Sequence, residues 1–125
     1  MKVIEAINEA DSLKANALPL SMKIKWLSRL DLRIMREIVD THEYNEGEEE
    51  ISFDGYTDED TEEELLAPEP YAEMYIHWLS AQIDYYNMEL DGFNAANAMF
   101  ESVHENFRNA YNASHKPKTA RKKYF

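Results

Sequence analysis

The chain has 125 residues, 44% of them hydrophobic, with 8 Tyr, 5 Phe and 2 Trp, enough apolar matter for one folded core. Only 3 Gly and 4 Pro argue against a turn-rich sandwich or barrel, and the absence of Cys excludes a disulfide scaffold, a thiolate zinc site and a cysteine nucleophile and fits a reducing compartment. A net charge of −12 argues against specific nucleic-acid binding, which needs a basic footprint. No window reads as a membrane span and the start of the chain shows no signal peptide.

Residues 3–14 predict a first short helix, with Val3, Ile4, Ile7, Ala10 and Leu13 at helical spacing and acids between them. Ala15–Pro19 breaks it, and Leu20-Ser21 suggests an apolar staple followed by an N-cap. A second helix is expected over roughly residues 22–42. Ile24, Leu27, Leu30, Ile34 and Ile38 form its stripe, and five basic residues (Lys23, Lys25, Arg29, Arg33, Arg36) surround a single acid, Asp31. Residues 43–69 then lose the helical period. Residues 43–64 hold 12 of the 25 acids and no Lys or Arg. Ile51-Ser52-Phe53 suggests one short strand, and the run 44–50 is expected to be the least ordered, because like charges without counterions gain little from packing. Pro70 suits the first turn of a third helix over about 70–91, with the stripe Tyr71, Tyr75, Leu79, Ile83, Tyr86 and Leu90. Asp91-Gly92 is read as an interruption and Asn94 as the cap of a fourth helix over 95–114, with Ala96, Phe100, Val103, Phe107 and Tyr111 inward. These elements define an all-α fold: one helical-bundle domain over 1–115 with four main helices, a partly ordered acidic insertion (43–69) between helices 2 and 3, and a basic C-terminal tail over 116–125.

Few constellations carry chemistry. Asp54, Asp58, Asp60 and Glu62 offer oxygen ligands, but Gly55 directly after Asp54 does not match the calcium-loop spacing, so a solvated acidic loop is the better reading. His42, His77, His104 and His115 lack the i, i+4 spacing of a helical metal pair, and Ser28, Ser80 and Ser102 sit mid-helix without a nucleophile elbow. No catalytic residue, metal site or cofactor is expected. Tyr71, Tyr75, Trp78, Tyr85 and Tyr86 span more than one face of the third helix, where they either complete the core or meet another protein. The tail joins Lys116, Lys118, Arg121, Lys122 and Lys123 to the aromatic pair Tyr124-Phe125. It reads as a frayed end, a nucleic-acid patch or a docking peptide able to reach the acidic insertion of its own chain or of a neighbouring copy. It is expected to be mobile beyond Pro117.

The run Gly55–Asp60, the stretch Glu64–Tyr71 and the stretch Tyr75–Tyr85, together with Leu13–Ala17, Lys23–Leu27, Phe93-Asn94, Phe100 and Tyr111–Pro117, resemble small proteins of tailed-phage and prophage head–tail joining regions. The resemblance implies a head–tail connector, also called an adaptor or head-completion protein. Such a protein is a non-enzymatic helical bundle that forms a homo-oligomeric ring beneath the portal protein, contacts other head–tail joining proteins and lines part of the DNA channel. It implies a virion location, with the host bacterial cytoplasm before assembly, and portal docking through a C-terminal segment, here Lys116–Phe125. Whether the isolated chain is a monomer is left open. Two other readings compete: an acidic regulatory protein-binding module that mimics nucleic acid, which needs carboxylates spaced along one ordered face, and a metal-dependent enzyme.

Overall fold

A computed structural model describes residues 1–118. Four helices follow in order: α1 (Val3–Leu13), α2 (Leu20–Ile34), α3 (Glu73–Tyr86) and α4 (Leu90–Ser114). Among the described residues there is no strand, and the fold is a small all-α bundle with its insertion between α2 and α3. One core draws on every element: Val3, Ile7, Leu27, Leu30, Tyr75, Leu79, Ile83, Phe100 and Phe107 are all buried in it. Antiparallel packing of α3 on α4 supplies the largest interface, and α1 and α2 lean on α3. Among the described residues no helix is long and apolar enough to cross a membrane.

Several boundaries differ from the sequence expectation, each for a local reason. Leu20 is already helical and Pro19 takes the cap position, so Ser21 is not the N-cap. At its far end α2 does not continue as an α-helix to residue 42. It widens into a π-helical turn over Met35–Val39, where Asp40 N donates to the Met35 carbonyl (2.8 Å). This turn keeps both Ile38 and Val39 inside. α3 begins at Glu73 because residues 69–72 are spent on tight turns, with Tyr71 N donating to Pro68 O and Met74 N to Tyr71 O. It ends at Tyr86, and Met88, at φ +62°, reverses the chain. α4 therefore starts at Leu90, five residues before the expected start, and Asp91-Gly92 forms its first turn. Gly92 is required there: a Cβ would lie 2.5 Å from Asp84 Oδ2. The third-helix stripe consequently runs off the end of the bundle, leaving Tyr86 and Leu90 more than half exposed. Leu13 is likewise exposed, and Val103 is only partly buried.

Residues 43–69 form a strap. Its far end is tied to the N-terminus, where Val3 N and Ile4 N donate to Glu63 O and Thr61 O (both 2.9 Å) and Leu65 N donates to Met1 O (2.9 Å). Ile51–Phe53 has no neighbouring strand to pair with; Ile51 N instead donates to the Tyr44 hydroxyl, and Phe53 packs on Tyr56 at 4.7 Å between ring centres.

Candidate functional site

The middle of the strap is fastened to α2 through Asp31, which is fully buried. Asp31 lies four residues after Leu27 and seven after Ile24, so the helix that buries those residues buries its carboxylate with them. Its Oδ1 accepts from the Tyr75 hydroxyl (2.6 Å), and its Oδ2 accepts from the Tyr56 hydroxyl and from Leu66 N (3.1 Å). The Tyr75 hydroxyl in turn accepts from Ala67 N (2.8 Å), so the adjacent amides of Leu66 and Ala67 are both held from one carboxylate. One turn earlier on α2, Ser28 Oγ accepts from Tyr56 N (2.9 Å). Burial pushes the Asp31 carboxyl above the usual carboxylate range, and its three donors pull partly the other way. Burial beside that carboxylate pushes both tyrosine hydroxyls up, so they remain donors.

The root of the C-terminal segment lies at the opposite end of the strap. Glu43 N donates to Lys116 O (2.7 Å) and Lys118 N to Thr41 O (2.9 Å), an antiparallel pairing centred on His42 and Pro117. His42 is buried; its Nδ1 donates to the Ile38 carbonyl (2.6 Å) and its Nε2 pairs with the Asn112 amide (2.8 Å). The first half of the acidic run is therefore a built turn, contrary to the expectation for 44–50. Asn45 Nδ2 donates to Ser114 O (3.1 Å), and the Glu48 carboxylate sits 3.0 Å from His115 Nε2, whose ring stacks on Tyr111 at 3.9 Å. The Asn45 amide and His115 hold the Glu48 carboxyl below its usual range. Glu46, Glu49 and Glu50 are exposed.

Of the residues assigned to docking, Lys116 and Lys118 are exposed at this root, with their backbone paired rather than free from Pro117 onward. Arg121, Lys122, Lys123, Tyr124 and Phe125 lie outside the described residues. Beside the root is an apolar hollow of about 290 Å³ lined by Ile34, Val39, Leu66, Tyr71, Phe107 and Tyr111. On α3, Tyr75 is core, Tyr71 and Trp78 are partly buried against it, and Tyr85 and Tyr86 are exposed. Of the histidines, His104 is buried next to Phe100, and burial with Arg33 and Arg108 nearby lowers its pKa. His77 pairs with Glu73 (3.2 Å). Among the described residues no group of three His, Asp or Glu is placed to hold a metal ion. Asp60 instead closes its own turn by accepting from Thr57 N (2.7 Å).

Comparison with family models, curated proteins and solved structures yields no match for this chain.

Proposed function

We propose that the chain is a non-enzymatic structural protein of a phage or prophage particle, a head–tail connector that binds the portal and contributes to the DNA channel. The observation that carries this reading is where the connector-like residues lie. Tyr56, Leu66, Ala67 and Tyr75, from the three stretches that carry the resemblance, meet at the Asp31 carboxylate. The shared pattern thus marks the residues that pin a long strap to a small bundle, as expected of a scaffold that presents surfaces to neighbours. The tail root supports the same reading: it brings exposed Lys116 and Lys118, an apolar hollow and a paired backbone together where the chain leaves the bundle. On docking, a basic segment loses conformational entropy, so each copy binds weakly and a ring of copies binds strongly.

The test is a chain ending at Lys118, which keeps the pairing with Thr41 and Glu43 but lacks Arg121, Lys122, Lys123, Tyr124 and Phe125. Its thermal melt is expected to match the full chain, and its co-sedimentation with portal-containing heads to be lost. Undiminished co-sedimentation would remove the tail from the docking role. If the full chain also fails to sediment with heads, the connector reading falls.

A further inference from the structure

The exposed side of α2 is cationic on a strongly acidic protein. Lys25, Arg29 and Arg33 follow one another at four-residue spacing and Arg36 comes three residues later, so all four share the side facing away from the core. Arg33 is engaged by Glu37 (3.2 Å), which also lies 3.8 Å from Arg108. Lys25, Arg29 and Arg36 are exposed, and among the described residues no carboxylate lies within ion-pairing distance of them. Arg29 and Arg36 line a groove of about 550 Å³ with Leu32, Met35 and Phe53, and the acids Glu37 and Asp40 line it too. Leu32 is 42% exposed.

The same chain carries the complementary shape. Asn45–Glu48 is a tight turn, closed by Glu48 N donating to Asn45 O (3.0 Å), with Gly47 at φ +82° in the third position that requires it. Glu46 stands at its tip and Glu49 and Glu50 just behind, all exposed. The turn is anchored to the end of α4 through Asn45–Ser114 and Glu48–His115. Among the described residues, none of its carboxylates is ion-paired with its own cationic ridge. We propose that the α2 ridge is the docking surface for the acidic 45–50 turn of a second copy of this chain. Two different patches meet in such a contact, so it is head-to-tail, the kind that generates a ring when the rotation closes. The ring geometry, though not the pairing itself, rests on the connector reading.

Charge swapping tests it. Lys25→Glu/Arg29→Glu/Arg36→Glu reverses the ridge, and Glu46→Lys/Glu49→Lys/Glu50→Lys reverses the turn. Sedimentation equilibrium of the wild type in low salt should show self-association that weakens as added salt screens exposed charges. Each variant alone should associate roughly tenfold or more weakly, the sum of several exposed pairs lost and made repulsive. Mixing the two variants should restore association, because each reversed patch then meets its complement. The neutral ridge variant, Lys25→Gln/Arg29→Gln/Arg36→Gln, should fall between wild type and reversal, and circular dichroism checks that each variant is folded. A wild type that stays monomeric in low salt, or variants that associate as well as wild type, would overturn the proposal, as would a mixture that does not recover. Binding to portal-containing heads is scored separately: pairing without head binding keeps the surface and sinks the connector reading, and the reverse keeps the connector reading and sinks this surface.

Discussion

Replacing Asp31 with Ala removes the one acceptor shared by the Tyr56 hydroxyl, the Tyr75 hydroxyl and Leu66 N. Tyr56 is half-buried and can turn to water, whereas the Tyr75 hydroxyl lies in the core and Leu66 N is part-buried within the strap. The buried Tyr75 hydroxyl left without a partner costs about 1–3 kcal/mol, and the part-buried Leu66 amide adds less. Relief from burying a carboxylate offsets part of that, so the net loss is expected at about 1–3 kcal/mol, a sizeable share of the ~5–15 kcal/mol that holds a domain of this size. The loss should be local first: amide exchange at Leu66 and Ala67 should accelerate before that of Leu27 or Leu79. The assay is a urea melt read by tryptophan fluorescence, paired with exchange rates. The control is the triple variant Asp31→Leu/Tyr56→Phe/Tyr75→Phe, which removes the acceptor together with two of its donors and should recover most of the loss. An Asp31→Ala melt within about 0.5 kcal/mol of wild type, where ordinary surface substitutions fall, would refute the clamp. So would a triple variant no more stable than the single one.

Further outcomes follow from the same geometry. The Asp31 carboxyl titrates above the unfolded range, so the native state holds its proton more tightly; its contribution is complete below the unfolded carboxyl range and lost as pH rises through the raised native value. Asp31→Asn should flatten that part of a stability–pH profile. His104 shifts the other way, so its contribution is present above about pH 6.5 and lost as pH falls through the lowered native value; His104→Asn should reduce this acid-side loss in melts over that range. Phe100→Ala should cost about 3–5 kcal/mol in a denaturant melt, since the ring is buried against Trp78 and His104. Gly92→Ala should destabilise by about 1–3 kcal/mol despite the better helix propensity of Ala, because the new Cβ collides with a buried carboxylate paired to Lys14 (2.9 Å).

The four helices and most of their inward residues were legible because apolar spacing is a local signal: Leu27, Ile34, Leu79, Ile83, Phe100 and Phe107 are all buried. What escaped was polar and long-range. Asp31 occupies a stripe position and was counted only as a charge among bases; an acid at that position, with tyrosines available elsewhere, was the signal that the stripe holds a buried acceptor. Gly92 was read as a helix breaker, since nothing local announces that Asp84 will press on it. The acidic turn at 45–48 was read from its charge density, but its order comes from Ser114 and His115, nearly seventy residues away. The C-terminal tail was legible only as chemistry, in its lysines and its aromatic end, and the structure adds where its root sits.

The two ends of the strap are secured by the two ends of the chain: residues 61–65 by Met1–Ile4, and residues 41–43 by Lys116–Lys118. A pull applied beyond Lys118 therefore does not peel α4 from its tip. It is delivered across two antiparallel hydrogen bonds to Thr41 and Glu43, next to the π-helical turn, and passes along the strap to the Asp31 clamp and on to the first turn of α1. Residues 116–118, the strap and residues 1–4 lie in series as one load path, and tension applied past Lys118 is felt at the start of α1.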